Sequence, residues 1–225
     1  MRGVLARFGE STKLAYTVPR MWRVLAPLAV GLVLGAGTPA WAGPADQLRQ
    51  YTDQVLRVLD DPALKTADRR AAVRKLAGEI FDVAETAKRA LARHWQARTP
   101  AEREEFVQLF ADLLERSYIS RIDEYGGETI RYVGEAVDGD LATVRARIIT
   151  KKGTEVPVES RMVRRGERWL IYDVLIENIS LIGNYRAQFD RIVRSSSYEE
   201  LVRRLKSRRD EFLHGAPTKA RRTAG

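Results

Sequence analysis

Few residues of this sequence are of a type that could do acid–base or nucleophilic chemistry at neutral pH. The 225 residues include no cysteine and only two histidines, His94 and His214, which lie far apart in the chain. A catalytic triad needs a base within hydrogen-bond reach of a nucleophile and a third group that holds the base. His94 stands beside Trp95 in a helical stretch, and His214 follows the last helical pattern. We therefore interpret both histidines as structural or surface residues.

Carboxylates are the remaining candidates for chemistry. Asp173 and Glu177 would share one face of a strand, but residues four apart on a strand are separated by about 13 Å, too far to act together. We instead expect Asp173 to be a buried carboxylate held by an arginine such as Arg145 or Arg147. The DGD run at 138–140 resembles the start of a calcium loop, but the later ligand positions are missing, which favours a hairpin turn. The sequence therefore predicts no catalytic residue, no bound metal and no cofactor.

The first 42 residues differ in character from the rest of the chain. Arg20 and Arg23 precede an apolar run over 24–37, and an A-x-A pattern ends at Ala42. This order is typical of a secretory signal peptide, here cleaved after Ala42. The apolar run is shorter than the roughly 20 residues that a membrane-spanning helix needs. We expect an exported protein, and Met21, which is followed by Trp22, Arg23 and the apolar run, is an alternative start.

Positive charge is concentrated at the two ends of the chain. The formal net charge is +9, but residues 1–42 hold five basic residues and one acidic residue, and 203–225 hold eight basic and two acidic residues. The body between them is nearly neutral. Nucleic-acid binding, which depends on a basic surface, therefore has little compositional support.

Helical periodicity occupies the first part of the body. Apolar residues at helical spacing predict helices over 46–59 and 68–96, and Gly78 is a candidate interruption of the second. Thr99 and Glu102 form a capping-box pattern, and the apolar stripe that follows it predicts a third helix that ends before residue 126.

From residue 129 the apolar period changes from that of a helix to that of a strand. Four strands are predicted over 129–137, 141–150, 154–164 and 168–177, and their short connections require antiparallel neighbours. The last strand is apolar on both faces, with Leu170, Tyr172, Val174 and Ile176 on one and Trp169, Ile171 and Leu175 on the other. Helices over 180–193 and 198–213 follow, the second with a capping box at 197–200. The order indicates an α+β fold with helices packed on a four-stranded antiparallel meander.

Two long motifs resemble those of one protein family. Residues 81–125 read FDVAETAKRALARHWQARTPAEREEFVQLFADLLERSYISRIDEY, and residues 169–193 read WLIYDVLIENISLIGNYRAQFDRIV. Both are similar to the MlaC family of periplasmic phospholipid-binding proteins, also known as toluene-tolerance ABC-transporter auxiliary proteins. The similarity extends over nearly all of 45–213. A hopanoid-associated family has a related pattern.

The resemblance implies a fold and a set of partners. The expected fold has helices around a curved sheet, is similar to the nuclear-transport-factor fold, and encloses a deep apolar pocket for lipid acyl chains. The lipid-binding domain would span 43–213, followed by a disordered basic tail over 214–225. A monomeric periplasmic shuttle would exchange phospholipid with an inner-membrane ABC transporter complex bearing an MCE-domain subunit and with an outer-membrane lipoprotein–porin complex. Such traffic would maintain the lipid asymmetry of the outer membrane.

The expected pocket residues are apolar side chains of the third helix, the last strand and the helix after it. They are Phe106, Leu109, Phe110, Leu113, Tyr172, Val174, Ile176, Ile182, Tyr185 and Phe189. Each could equally be ordinary core, because a cavity wall and a core use the same residue types. Arg186, on the same helix as Tyr185, could face a lipid phosphate, although a surface ion pair is the simpler interpretation.

Two other functions remain open at the level of sequence. One is a carrier for a different lipid, such as a hopanoid or another polycyclic molecule. The other is a lipid-free periplasmic adaptor that links membrane complexes. None of the three needs a catalytic residue, so the chain is not expected to be an enzyme.

Overall fold

The structure, a computed structural model, describes residues 42–119 and 124–213. Its helices are α1 (Pro44–Asp60), α2 (Thr66–Ile80), α3 (Val83–Leu91), α4 (Pro100–Tyr118), α5 (Leu181–Ser195) and α6 (Tyr198–Leu213), with a short 3-10 turn at Ala92–His94. Its strands are β1 (Thr129–Asp138), β2 (Leu141–Ile149), β3 (Glu155–Arg165), β4 (Arg168–Ile176) and β5 (Ile179–Ser180). The expected signal peptide and basic tail, together with Met21 and His214, lie outside the described residues.

The chain divides into two compact units. The first takes the residues up to Asp82 together with Ile119–Leu181, and so holds α1, α2 and the sheet. The second takes Val83–Tyr118 and the residues from Ile182 onward, and so holds α3, α4 and α6 with all but the first residue of α5. The first unit therefore has both helices and strands, whereas the regular elements of the second unit are all helical in its described residues.

In the first unit, α1 and α2 cover one face of the sheet. Leu48 of α1 and Ile80 of α2 join a buried cluster with residues of β2, β3 and β4, among them Val144, Met162 and Ile171. The buried positions of α1 recur at helical spacing, as expected for a helix with one apolar face. This cluster is the hydrophobic core of the unit.

The helix predicted over 68–96 is interrupted at Phe81 and not at Gly78, which lies inside α2, so the predicted place of the interruption was wrong. Phe81 leaves the helix in an extended conformation and forms a parallel bridge with Ile171. The backbone N–H of Asp82 then donates to the carbonyl oxygen of Ile171, at 2.9 Å. A backbone pairing with β4 therefore replaces the helical hydrogen bonds at this point, and helical periodicity in the sequence cannot reveal such a distant partner.

The start of α4 confirms the predicted capping box. The N–H of Glu102 donates to Thr99 Oγ1 at 3.2 Å, and the N–H of Thr99 donates to Glu102 Oε2 at 2.7 Å. The backbone hydrogen bond from Thr99 is the main reason why the pKa of the Glu102 carboxyl lies below its ordinary value. These two bonds satisfy N–H groups that have no partner inside the helix.

The sheet is an antiparallel meander in the order β1-β2-β3-β4-β5. The meander was predicted, but with four strands, and the structure has a short fifth. Glu177 and Asn178 form a two-residue hairpin loop in which both φ angles are positive, at 49° and 66°. Positive φ at both positions is typical of a type I′ turn, which joins antiparallel strands tightly. Of these two residues, Asn178 is of a type that often adopts positive φ and Glu177 is not, so the turn was not recognised from its sequence.

The faces predicted for β4 were also wrong in part. The register passes from Arg161 opposite Asp173 to Met162 opposite Ile171, so Tyr172 is the extra residue of a β-bulge. A bulge shifts the alternation of side chains by one residue. Odd-numbered residues before Tyr172 therefore lie on the same face of the sheet as even-numbered residues after it. Trp169, Ile171, Val174 and Ile176 all lie in the core beneath α1 and α2.

Candidate functional site

A cluster of five aromatic rings forms the centre of the second unit. Phe106 and Phe110, one helical turn apart on α4, are stacked with centroids 5.9 Å apart. The edge of Phe189 from α5 meets both rings, at 5.7 and 5.4 Å. Tyr185 lies 5.1 Å from Phe110, and Tyr198 of α6 lies 6.5 Å from Phe106. Contacts of this geometry add roughly 0.5–1.5 kcal/mol each to the burial of the rings.

Exposure falls steeply from one side of this aromatic cluster to the other. Phe106 and Phe110 are fully buried, and Phe189 is nearly so. Tyr185 and Leu113 are only half-buried. Tyr185 and Leu113 are therefore partly accessible to solvent, whereas the inner rings are not.

The ten residues expected to line a pocket are divided between the two units. Seven lie in the second unit: Phe106, Leu109, Phe110, Leu113, Ile182, Tyr185 and Phe189. Three lie in the first, and of these Val174 and Ile176 belong to the core beneath α1 and α2. Tyr172, at the β-bulge, is buried as well. Contact with lipid remains a prediction for all ten.

Tyr198 is a member of the aromatic cluster that the sequence did not single out. Its hydroxyl donates to the carbonyl oxygen of Glu102 at 2.9 Å, and the Arg98 guanidinium lies 4.5 Å from its ring centre. Burial raises the pKa of Tyr198 to about 12. Its place at the start of an apolar stripe on α6 was the available signal, but the same position also fits an ordinary core residue.

Arg186 is exposed on α5. None of the ion pairs within 42–119 and 124–213 includes Arg186, and its contact with a lipid phosphate or with a surface carboxylate stays a prediction. Its guanidinium is thus available to an anionic group in solution.

Asp173 is buried, as predicted, but its predicted partners were wrong. Ser180 Oγ donates to Asp173 Oδ2 at 2.7 Å, and Arg161 Nη1 lies 3.8 Å from the same oxygen. The strand register explains the difference, because it places Arg161 directly opposite Asp173. Arg145 and Arg147 instead form ion pairs with Glu159 and Glu155 on β3, at 3.7 and 3.1 Å.

His94 contacts an acidic residue of α5. Its Nε2 lies 2.8 Å from Asp190 Oδ1, and the Arg93 guanidinium donates to the same oxygen. These hydrogen bonds hold the pKa of the Asp190 carboxyl below its ordinary value, and the one with His94 has the larger effect. The arrangement anchors the 3-10 turn to α5, which agrees with a structural role for His94.

Glu177 lies in the exposed β4–β5 turn, whereas Asp173 is buried in β4, so the two carboxylates occupy different environments. The DGD run is a hairpin turn, as predicted, with Gly139 at φ 58°. In the described part of the chain no group of three or more His, Cys, Asp or Glu side chains could hold a metal ion.

The described residues also contain an open groove that the sequence did not indicate. It lies between α1 and α2 in the first unit and has a volume of about 410 Å³. It is lined by Gln54, Arg57, Val58, Ala72, Lys75, Leu76 and Glu79. Separately, none of the described helices is both long enough and apolar enough to cross a lipid bilayer.

The fold and the site define an α+β protein with an antiparallel meander and a helical unit centred on aromatic rings. A sequence model of the MlaC protein family matches residues 49–207, and the chain belongs to that family. The structure is also similar to that of the phospholipid-binding protein from Ralstonia solanacearum, which was solved in complex with a phospholipid. The two share 23% sequence identity with a TM-score of 0.66, and the alignment covers 76% of this chain and 99% of the other.

Proposed function

We propose that this protein is a periplasmic carrier that binds phospholipid by its acyl chains. The observation that carries the proposal is membership of the MlaC family over residues 49–207. The Ralstonia solanacearum protein of similar fold binds a phospholipid, which supports the same ligand class here. The signal peptide expected over 1–42 supports export.

In the second unit, we assign the acyl-chain contacts to the accessible side of the aromatic cluster. Tyr185 and Leu113 are half-buried, so they can gain contact with a ligand. Phe106 and Phe110 support them from the fully buried side. Leu109, Ile182 and Phe189 complete this set. In the first unit, Tyr172, Val174 and Ile176 are retained as further lipid contacts.

The energetics of such a carrier favour exchange over one-way delivery. Removing about 30 methylene groups from water is worth on the order of 25 kcal/mol, at roughly 0.8 kcal/mol each. A bilayer shelters the same groups equally well, so net transfer between membrane and carrier lies near zero. Direction must then come from partners, and we propose that these are an inner-membrane ABC transporter complex with an MCE-domain subunit and an outer-membrane lipoprotein–porin complex. Through them the carrier would maintain outer-membrane lipid asymmetry.

The headgroup contact is assigned to Arg186. It is exposed on the helix that carries Tyr185, and a guanidinium binds phosphate oxygens in a bidentate manner. Substitution of Arg186 by Gln should weaken binding of anionic phospholipid more than binding of an uncharged diacylglycerol.

Native mass spectrometry of the purified protein, combined with lipid analysis of what it retains, tests the proposal directly. Diacyl phospholipid at one molecule per chain is the expected result. A polycyclic lipid would instead support the hopanoid carrier. A protein that is empty after purification and takes up no lipid from phospholipid vesicles would contradict both carriers and favour the adaptor.

A matched pair of leucine variants separates the proposed contacts from general effects on folding. We expect Leu113→Gln to reduce retained phospholipid at least several-fold, because a polar amide in contact with acyl chains costs roughly 1–3 kcal/mol. Leu141→Gln, at a surface position of β2, should retain as much lipid as the wild type. Equal lipid content in the two variants, with both folded by circular dichroism, would remove Leu113 from the site.

A further inference from the structure

Three of the four large hydrophobic residues that are exposed in the described chain lie in the hairpin formed by β1 and β2. Val133, Val137 and Leu141 are 52%, 53% and 40% exposed. The one other large hydrophobic residue that is similarly exposed in the described chain is Ile179. Three such residues within a stretch of nine indicate surface that is covered in a complex, because exposed apolar groups of this kind favour association.

This apolar surface borders the edge of the sheet. β1 is the outermost strand, and no described strand pairs with its outer side. It contains neither lysine nor proline, the residues that commonly protect such edges. A bulge between Tyr132 and Gly134 interrupts the first half of β1, which leaves the exposed segment from Gly134 to Asp138 as the regular edge.

The exposed side chains lie on both faces of the sheet. Val137 is opposite Ala142, so it lies on the face that α1 covers elsewhere. Leu141, the residue before Ala142, lies on the other face and is opposite Val163. A flat partner would cover only one face, whereas a strand added at the edge places its own side chains on both.

The charge of the exposed hairpin segment indicates which kind of partner could bind at the edge of β1. The segment from Gly134 to Leu141 contains Glu135, Asp138 and Asp140 and no basic residue. Glu135 accepts a hydrogen bond from the N–H of Ala45, and Asp140 is paired with Arg164, but Asp138 is exposed. A second copy of the chain would bring acidic residues together along the edge, and an anionic membrane surface would repel them. Basic residues in a partner strand would be attracted.

We propose that the edge of β1 from Gly134 to Asp138 is a docking site for an extended, basic segment of another protein, which adds to the sheet as a further strand. The backbone of β1 supplies the hydrogen bonds, and Val137 with Leu141 supplies the apolar contacts. Lysine or arginine residues of the partner face Glu135 on one side of the sheet and Asp138 on the other, and β-branched residues pack against Val137 and Leu141. This inference is independent of lipid binding, because it uses no residue of the proposed lipid site.

A phage-displayed library of random linear peptides of about eight residues, somewhat longer than a typical strand, is the probe. Selection against the full chain should enrich peptides that contain both β-branched residues and Lys or Arg, with basic residues at positions of both odd and even number. Hydrogen exchange with a selected synthetic peptide should slow for amides within 134–138. Val137→Lys should weaken that peptide roughly tenfold or more, because like charges across an interface are costly.

Ile179→Lys is the matched control, since it places the same charge at an equally exposed apolar position away from β1. It should leave peptide affinity unchanged, and Leu113→Gln should do the same. Selected peptides without basic enrichment, or an equal loss of affinity in both lysine variants, would overturn the proposal. A dimer that is detected by sedimentation and dissociated by Val137→Lys would also overturn the proposal. Binding to anionic vesicles that Val137→Lys abolishes would do the same, because in either case the edge would have a different occupant.

Discussion

At the scale of single residues, Ala92 holds a backbone conformation that suits glycine. Its φ angle is +48°, in the left-handed region, at the point where α3 gives way to the 3-10 turn. A residue with a Cβ atom is destabilised by roughly 1–2 kcal/mol in this conformation. Glycine avoids this steric cost but loses more conformational entropy on folding, so the net gain is smaller. We expect Ala92→Gly to raise the free energy of unfolding by about 0.5–1 kcal/mol, measured by urea denaturation.

Ala71→Gly provides the comparison for Ala92→Gly. Ala71 is exposed in the middle of α2, where glycine should cost about 1 kcal/mol. A loss of stability at both positions would show that the conformation of Ala92 is not strained.

Ser180 is a second residue whose role can be isolated. Its hydroxyl donates to the buried Asp173 carboxylate, and a buried acceptor that loses a donor costs about 1–3 kcal/mol. Ser180→Ala should therefore lower the free energy of unfolding within that range. Ser196→Ala, at an exposed position in the loop before α6, should change it by less than about 0.5 kcal/mol. An equally small effect of Ser180→Ala would mean that other partners satisfy Asp173.

At the scale of secondary-structure elements, α6 carries a pH-dependent contribution at its first turn. The pKa of Glu200 is lowered from an ordinary value of 4.5 to about 2, because Arg203 and Arg204 donate hydrogen bonds to its carboxylate. A carboxyl whose pKa is lower in the folded state stabilises that state above the unfolded pKa. This contribution is complete above pH 4.5 or so and is lost as the pH falls toward 2.

Thermal melting by circular dichroism at several pH values between 2 and 5 tests the role of Glu200. Glu200→Gln should flatten the fall in Tm across this window, since it removes the titrating group. Glu104→Gln removes an exposed carboxylate from α4 and should leave the slope as in the wild type. If both variants keep the wild-type slope, Glu200 does not contribute to the acid sensitivity.

The start of α6 matches the predicted capping box at 197–200 only in part. Ser197 accepts a hydrogen bond from the N–H of Glu200 at 3.2 Å, which is half of the predicted box. The carboxylate of Glu200 is instead bound by the two arginines one turn along the helix. The start of α6 was thus identified correctly from Ser197, although the glutamate serves another contact.

At the scale of the whole molecule, a lipid carrier must be more stable when loaded. A ligand at about 100 times its Kd stabilises the folded state by roughly 2.7 kcal/mol. For a chain of this size, that corresponds to a rise in Tm of roughly 5–10 °C. We expect delipidated protein to melt lower than the loaded form and to recover on incubation with phospholipid vesicles, as measured by differential scanning calorimetry.

Leu113→Gln should show a smaller recovery than the wild type in this calorimetric experiment, and Val137→Lys should recover fully. The two variants therefore separate lipid binding from docking at β1. No change in Tm with any lipid would contradict the carrier function and leave the docking proposal standing.

The sequence by itself determined the elements whose signals are local. Helical and strand periodicity placed α1, α4 and the meander, and the Thr99 and Glu102 pattern identified the start of α4, because the partners of these groups lie within a few residues. The apolar stripe of α4 and α5 likewise contained four of the five rings of the aromatic cluster.

Tertiary structure decided the features that depend on distant backbone groups. α2 ends at Ile80 because Phe81 and Asp82 pair with Ile171, and the N–H of Asp82 donates to the carbonyl oxygen of Ile171, 89 residues further on. The bulge at Tyr172 places Ile171 and Val174 on one face of the sheet. The strand register places Arg161, and not Arg145, opposite Asp173, so that Arg161 forms the ion pair. A sequence pattern specifies which residues are apolar, whereas strand register and long-range hydrogen bonds specify which of them meet.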